Sequence, residues 1–320
     1  MHRTGLVLDD RFCRHDTGHG HPESASRLKV IATALRDSGL VDHCERVEPI
    51  SAPLATVQLV HASAYLSRLD AACRQGYPYI DVPDSAVCPE SFDIALLAAG
   101  SVMQAARRVG RGELERAFCA VRPPGHHAEP DRSMGFCLLN NVAIAACVLR
   151  LELGFDRIAI VDFDVHHCNG TQRTFEADPS VLVISLHGHP RYLYPGTGFE
   201  EETGVGAGRG YTVNIPFTPA ATDADYRAAF DDRVLPALER YAPQFLIISA
   251  GFDAHADDPL GNLDLTDEAF AWMTRDLLRV ADAHADGRVI SVLEGGYNAG
   301  VLERCVPAHL RALLGDGAED

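Results

Sequence analysis

Short β-rich runs recur along the chain, each too short for a helix. They fall at residues 5–8, 117–121, 157–161, 181–186, 211–215, 245–249 and 288–293. Runs of this kind read as strands buried on both sides. Longer stretches separate most of them and predict helices over 23–36, 91–109, 140–153, 223–241 and 266–285. The last opens with Thr266, Asp267 and Glu268, a cap followed by an acidic first turn. Strands alternating with helices predict an α/β fold with a mainly parallel central sheet and helices on both faces. No repeat, low-complexity segment or linker interrupts the pattern, so residues 1–320 are expected to form a single domain.

One strand run ends in chemistry. After residues 157–161 the chain reads Asp162-Phe163-Asp164-Val165-His166-His167. If the strand stays extended, Asp162, Asp164 and His166 share one face. Two carboxylates and an imidazole at a buried strand end are costly unless something positive sits there, and a divalent metal is the economical choice. Three other strand runs end comparably: 117–121 in Arg122-Pro123-Pro124-Gly125-His126-His127, 245–249 in Gly251-Phe252-Asp253-Ala254-His255, and 288–293 in Glu294-Gly295-Gly296-Tyr297. Open α/β sheets place their sites at the carboxyl ends of their strands, which is where all four features fall.

The chemistry follows from the residue types. Asp164, His166 and Asp253 can hold one divalent ion with positions left for water and a substrate carbonyl. One histidine of the His126-His127 pair takes the proton from water and later protonates the leaving amine. Tyr297 donates to the developing oxyanion. Asp162 is placed to accept from a histidine ring nitrogen and fix its tautomer. The reaction expected is hydrolysis of an unactivated amide. Residues 187–210, with seven glycines, two prolines and Tyr194, lack a phosphate-binding pattern and read as a loop lining the site.

Composition narrows the partners. The net charge of −17 argues against a nucleic-acid ligand and fits a cationic substrate, such as a lysine side chain or a polyamine. Nine cysteines without a Cys-x-x-Cys pair, and no leader peptide, predict free thiols in a cytoplasmic protein. No apolar run approaches the roughly 18 residues of a membrane span, so no membrane partner is expected. Oligomeric state is open, a homo-oligomer included.

These segments resemble the histone deacetylase superfamily, specifically its class II-like bacterial amidohydrolases within the arginase–deacetylase fold. The resemblance is carried by Arg122-Pro-Pro-Gly-His-His-Ala128, Met134-Gly-Phe-Cys-Leu-Leu-Asn-Asn141, Asp162-Phe-Asp-Val-His-His167, Asn169-Gly-Thr-Gln172, Tyr194-Pro-Gly-Thr-Gly198, Ala250-Gly-Phe-Asp-Ala-His-Ala-Asp-Asp-Pro259 and Glu294-Gly-Gly-Tyr-Asn298. It implies zinc, with Fe²⁺ as the alternative ion, at Asp164, His166 and Asp253. It implies His127 as general base and acid, His126 as an electrostatic partner backed by Asp162, and Tyr297 as the carbonyl donor. It further implies channel walls from Gly135, Phe136, Tyr194 and Leu260, and a structural potassium near Asp162, Ser185 and Leu186.

Several positions depart from the wider family pattern. Asn169 stands where class I enzymes carry Asp, as in class II, and a neutral partner leaves His127 less basic. Cys168 replaces the usual glycine and reads as a buried, inert thiol. Leu260 stands where the polyamine-specialised branch places glutamate, which favours an acyl-lysine substrate over an acetylpolyamine. Tyr297 separates the chain from the weakly active class IIa branch and from a catalytically dead acyl-lysine reader. His255 and Asp257 make a two-metal ureohydrolase imaginable, but Asn169 offers too few carboxylates for it. His21-Pro22-Glu23-Ser24-Ala25-Ser26-Arg27 fits the pattern only loosely, leaving open whether Arg27 lines a product channel.

Overall fold

A computed structural model of the chain describes residues 2–315. Among the described residues eight strands run in parallel: β1 (Thr4–Leu8), β2 (Glu45–Arg46), β3 (Arg116–Ala120), β4 (Ile158–Asp162), β5 (Val181–Gly188), β6 (Thr212–Phe217), β7 (Phe245–Ala250) and β8 (Val289–Leu293). The helices are α1 (Ala25–Asp37), α2 (Leu54–Val57), α3 (Ser63–Arg74), α4 (Ser91–Gly110), α5 (Asn141–Leu153), α6 (Asn169–Phe175), α7 (Asp223–Ala229), α8 (Leu235–Tyr241), α9 (Asp267–His284) and α10 (Ala299–Leu314). Every residue of β3, β4, β5, β7 and β8 is buried, the signature of a parallel sheet covered on both faces.

The strand order is β2-β1-β3-β8-β7-β4-β5-β6. The four strands that end in chemical motifs, β3, β8, β7 and β4, are therefore consecutive at the centre of the sheet. Strand spacing of about 4.8 Å then brings four motifs far apart in sequence to one crevice. Register sharpens this, since Asp162 on β4 lies opposite Ser249 on β7 and Ser185 on β5.

Two expectations need adjustment. The helix expected over 223–241 is interrupted, because residues Phe230–Val234 form a π-turn between α7 and α8. The strand expected to present Asp162, Asp164 and His166 on one face ends at Asp162. Beyond it the chain turns, with the Asp164 N–H donating to Asp162 Oδ1 at 3.1 Å and the His166 N–H to Asp164 Oδ1 at 2.9 Å.

Candidate active site

Asp164, His166 and Asp253 converge with their ligand atoms within 4.8 Å of one another, all three buried. His166 Nδ1 lies 3.0 Å from Asp164 Oδ1 and 3.2 Å from Asp253 Oδ2. The backbone holds the outer oxygens: Gly295 N–H donates to Asp164 Oδ2 at 2.7 Å, and Val165 N–H to Asp253 Oδ1 at 2.8 Å. Glycine is required at 295 and 251. A Cβ on Gly295 would fall 2.1 Å from Asp253 Oδ2, and one on Gly251 2.2 Å from Asp164 Oδ2. Asp253 Oδ2 remains, buried and, although 3.2 Å from His166 Nδ1, without a well-aligned hydrogen bond among the described residues. An orphaned carboxylate oxygen beside a second carboxylate and an imidazole is what a cation-binding set looks like.

Asp162 stays outside this set because its oxygens are engaged elsewhere. Its Oδ2 faces His126 Nδ1 at 3.0 Å, the ring-nitrogen partner expected for it. His127 Nδ1 faces Asn169 Oδ1 at 2.7 Å. The two neighbouring imidazoles are thereby driven apart. Burial opposes a charge on His126, but Asp164 and Asp162 overcome it and raise its pKa to about 10. Burial, with His126 and His166 adding to it, holds His127 well below the ordinary histidine range. His127 is the neutral member, and its Nε2 is free to take a proton.

Glu294 supports the pair from below. Its Oε2 accepts from Gly125 N–H at 2.7 Å and His126 N–H at 3.1 Å, and Ser249 Oγ donates to its Oε1 at 3.1 Å. Burial pushes its pKa up to about 7. Nothing in the sequence singled out Glu294 except its place directly after a central strand.

Gly135, Phe136 and Tyr194 lie beside His127 and Tyr297. Gly135 packs on His127 so closely that a Cβ would lie 2.3 Å from its Cδ2. Phe136, at a φ of +68°, sets its ring edge-on to Tyr297 at 5.7 Å. Tyr194 stands edge-on to His127 at 5.2 Å, so the 187–210 segment does reach the site. Tyr297 and Leu260 are joined through Asp258, whose carboxylate accepts from the N–H of Tyr297 at 2.7 Å and of Leu260 at 3.0 Å. Burial, with Asp253 adding to it, raises the Tyr297 phenol well above its usual range and keeps it a donor.

Other predicted residues fall as follows. Arg27, left open by the sequence, is buried beneath the site. It donates to Glu294 O and Gly296 O at 2.6 Å each and lies 5.0 Å over the Tyr297 ring. Burial pushes the Cys168 thiol well up, as an inert cysteine requires. His255 turns away, with Nε2 3.0 Å from Asp267 Oδ1 and Nδ1 accepting from Asp257 N–H at 3.0 Å. It is no ligand in the set of Asp164, His166 and Asp253, so among the described residues a two-metal centre is not built there.

Known proteins identify the family. A family model described as "Histone deacetylase domain" matches residues 21–313. The chain belongs to the histone deacetylase family. It is 44% identical over 298 residues to a "Probable deacetylase" of Archaeoglobus fulgidus, covering 92% of this chain and 81% of that protein. It is 38% identical to "Histone deacetylase 4" of Caenorhabditis briggsae, covering 98% of this chain but only 38% of that protein. For "Histone deacetylase 5" of Arabidopsis thaliana the identity is also 38%, over 98% of this chain and 49% of the relative. The crystal structure of the HDA15 HD domain superposes with a TM-score of 0.94 at 38% identity, covering 99% of this chain and 90% of that one. This histone deacetylase family member therefore shares the arginase–deacetylase fold, and its family is one of enzymes that hydrolyse acetyl amides. Among the described residues, no helix is long and apolar enough to cross a membrane.

Proposed function

We propose that this chain is a metal-dependent deacylase acting on acyl-lysine-type amides. The observation that carries the reading is Asp253 Oδ2, buried and unpartnered beside Asp164 and His166. Zinc, or Fe²⁺ in its place, suits two carboxylates and an imidazole with open positions. Bound there, the ion would polarise the scissile carbonyl and acidify a water.

The chain's own groups do the rest. His127, neutral with Nδ1–H donated to Asn169, takes the water's proton at Nε2 and returns it to the leaving amine. His126, held charged by Asp162, offsets the negative charge that builds beside it. The Tyr297 hydroxyl donates to the oxyanion. Gly135, Phe136, Tyr194 and Leu260 are read as the walls of a channel that would take the lysine stem. The acidic surface draws a cationic peptide, and neither a nucleic-acid nor a membrane partner is invoked. A structural K⁺ near Asp162, Ser185 and Leu186 belongs to the same reading and rests on the family resemblance alone. Cytoplasmic residence remains our reading of the free cysteines.

The histone deacetylase relatives and Leu260 favour acyl-lysine over acetylpolyamine substrates. Protein purified without added metal is to be assayed for bound metal and for hydrolysis of acetyl-lysine peptide and acetylputrescine, before and after chelation. About one zinc or iron per chain, chelator-sensitive activity and preference for the peptide are expected. Full activity after complete metal removal would falsify the reading, and preference for acetylputrescine would move the substrate assignment.

A further inference from the structure

An amide at position 169 poses a problem that a carboxylate would not. A carboxylate can accept from His127 Nδ1 with either oxygen, whereas an asparagine does so with only one of its two terminal atoms. Turned over, Asn169 would present its NH₂ to Nδ1, forcing the ring proton onto Nε2 and removing the lone pair that receives the water's proton. Something has to fix the amide.

Glu129 is in place to do so. Asn169 Nδ2 donates to Glu129 Oε1 at 2.9 Å, while Oδ1 faces His127 Nδ1 at 2.7 Å. A carboxylate only accepts, so this contact requires the NH₂ on the Glu129 side and the oxygen on the His127 side. Glu129 is itself anchored. Its two oxygens accept from Arg132 Nε and Nη2 at 3.1 Å each. Its N–H donates to Arg132 O at 3.0 Å, and its carbonyl faces the buried His61 Nδ1 at 3.0 Å. Close contact between the segments completes the placement, since a Cβ on Gly170 would lie 2.2 Å from Ala128 O. The side chain of Glu129 is 17% exposed, enough shielding for its charge to be felt along the amide.

We propose that Glu129 is a positioning residue for the general base: it orients the Asn169 amide, so that His127 carries its proton on Nδ1, and supplies at one remove the negative charge that the amide lacks. This inference rests on the proposed role of His127. The His127–Asn169–Glu129 chain replaces a direct His–carboxylate pair by one extended through an amide.

Four variants test it, with wild type as reference: Glu129→Gln, Arg132→Gln, Asn169→Asp and Asn169→Asp with Glu129→Gln. In the native background Glu129→Gln should lower kcat on acetyl-lysine peptide about tenfold with KM within about twofold, the loss of one charge-assisted contact. Arg132→Gln, which keeps the amide–carboxylate bond, should cost less than about threefold. With Asp at 169 the symmetric carboxylate needs no orienting and Glu129 becomes a like-charge neighbour, so Glu129→Gln should leave kcat unchanged or raise it. An equal fractional loss in both backgrounds, or an Arg132→Gln loss matching Glu129→Gln, overturns the proposal in favour of plain loop support.

A second readout does not depend on turnover. Side-chain ¹⁵N spectra, with His127 assigned by the signal missing in His127→Phe, should show a single Nδ1–H tautomer in the native protein and a mixture in Glu129→Gln. An unchanged tautomer overturns the positioning role even if the enzyme is active. Absence of hydrolysis with the tautomer shift present overturns the deacylase reading alone.

Discussion

Two regions of this molecule bury histidine completely and use it in opposite ways. His309, on α10, faces α9 and β8, with Thr274 Oγ1 2.6 Å from Nδ1 and Ser291 Oγ 2.7 Å from Nε2. Its ring stands edge-on to Phe118, Phe163 and Phe252 at 5.4, 6.2 and 5.8 Å. Both nitrogens are matched by hydroxyls. Around His126, His127 and His166 the neighbours are instead Asp162, Asp164, Asp253 and Glu294, and one carboxylate oxygen is left unmatched. The two regions share their scaffold, for Phe163 and Phe252 pack on His309 while the next residues, Asp164 and Asp253, turn into the site. Burial of a polar side chain is thus no mark of function by itself. What marks function is burial whose electrostatics the protein alone does not balance.

The largest expected effect breaks the contrast from the functional side. Asp253→Asn removes one ligand and one of two adjacent buried carboxylates. Metal content should fall to background, and kcat/KM on acetyl-lysine peptide by at least about 1000-fold, or ~4 kcal/mol. Burial and the neighbouring Asp164 charge already raise the Asp253 pKa, a sign that its ionised form is strained there. The metal-free variant should therefore melt no lower than the metal-free wild type. Calorimetry with chelator present checks this, and a lower Tm would mean that Asp253 serves the fold as His309 does.

Tyr297→Phe comes next. The ring keeps its contacts with Phe136 and Arg27 while the donor is lost. A fall in kcat of about 100-fold to 1000-fold, ~3 to 4 kcal/mol, is expected without a change in Tm. If kcat holds, the oxyanion has another donor and the phenol is only a wall.

Much of this candidate site was legible from the chain because the proposed ligands and bases stand directly after strand runs. Asp164, His166, Asp253, His126, His127 and Tyr297 could all be named from that rule. Their meeting could not, since it depends on β3, β8, β7 and β4 being neighbours, and strand order is set by tertiary packing. Glu294, Asp258 and Glu129 escaped for a related reason. They act on backbone N–H groups or a side-chain amide, partners that no local spacing reveals. The helix α10 was obscured by Pro307 within it. Residues 63–74 do carry helical spacing through Tyr65, Leu66, Leu69 and Ala72, and were readable in principle.

From the structural side, His309→Ala should leave kcat unchanged and cost about 3 kcal/mol of stability. It opens a cavity among three phenylalanines and strips a partner from Ser291. Urea unfolding measures the loss, and metal-saturated turnover at a temperature where the variant is folded measures the rest. A drop in kcat would show that the Phe163 and Phe252 backing positions the ligands that follow them.

The smallest effect concerns pH and is read at His309. Burial pulls the pKa of His309 down from 6.5 to about 3, and those of His15 and His61 to about 4. At these three histidines the folded chain thus binds fewer protons than the unfolded chain between those values and 6.5, and their contribution to stability rises with pH across that window. The contribution is fully present above about pH 6.5 and is lost as pH falls towards the folded values. For one group shifted from 6.5 to about 3, moving from pH 7 to pH 5 costs about 2 kcal/mol. His309→Phe removes that proton while filling most of the space. Its urea-derived stability, whatever its value at pH 7, should therefore fall by about 2 kcal/mol less than that of wild type between pH 7 and pH 5. Parallel losses in the two proteins would mean that His309 accepts a proton without unfolding, and the balance attributed to its two hydroxyl partners would be wrong.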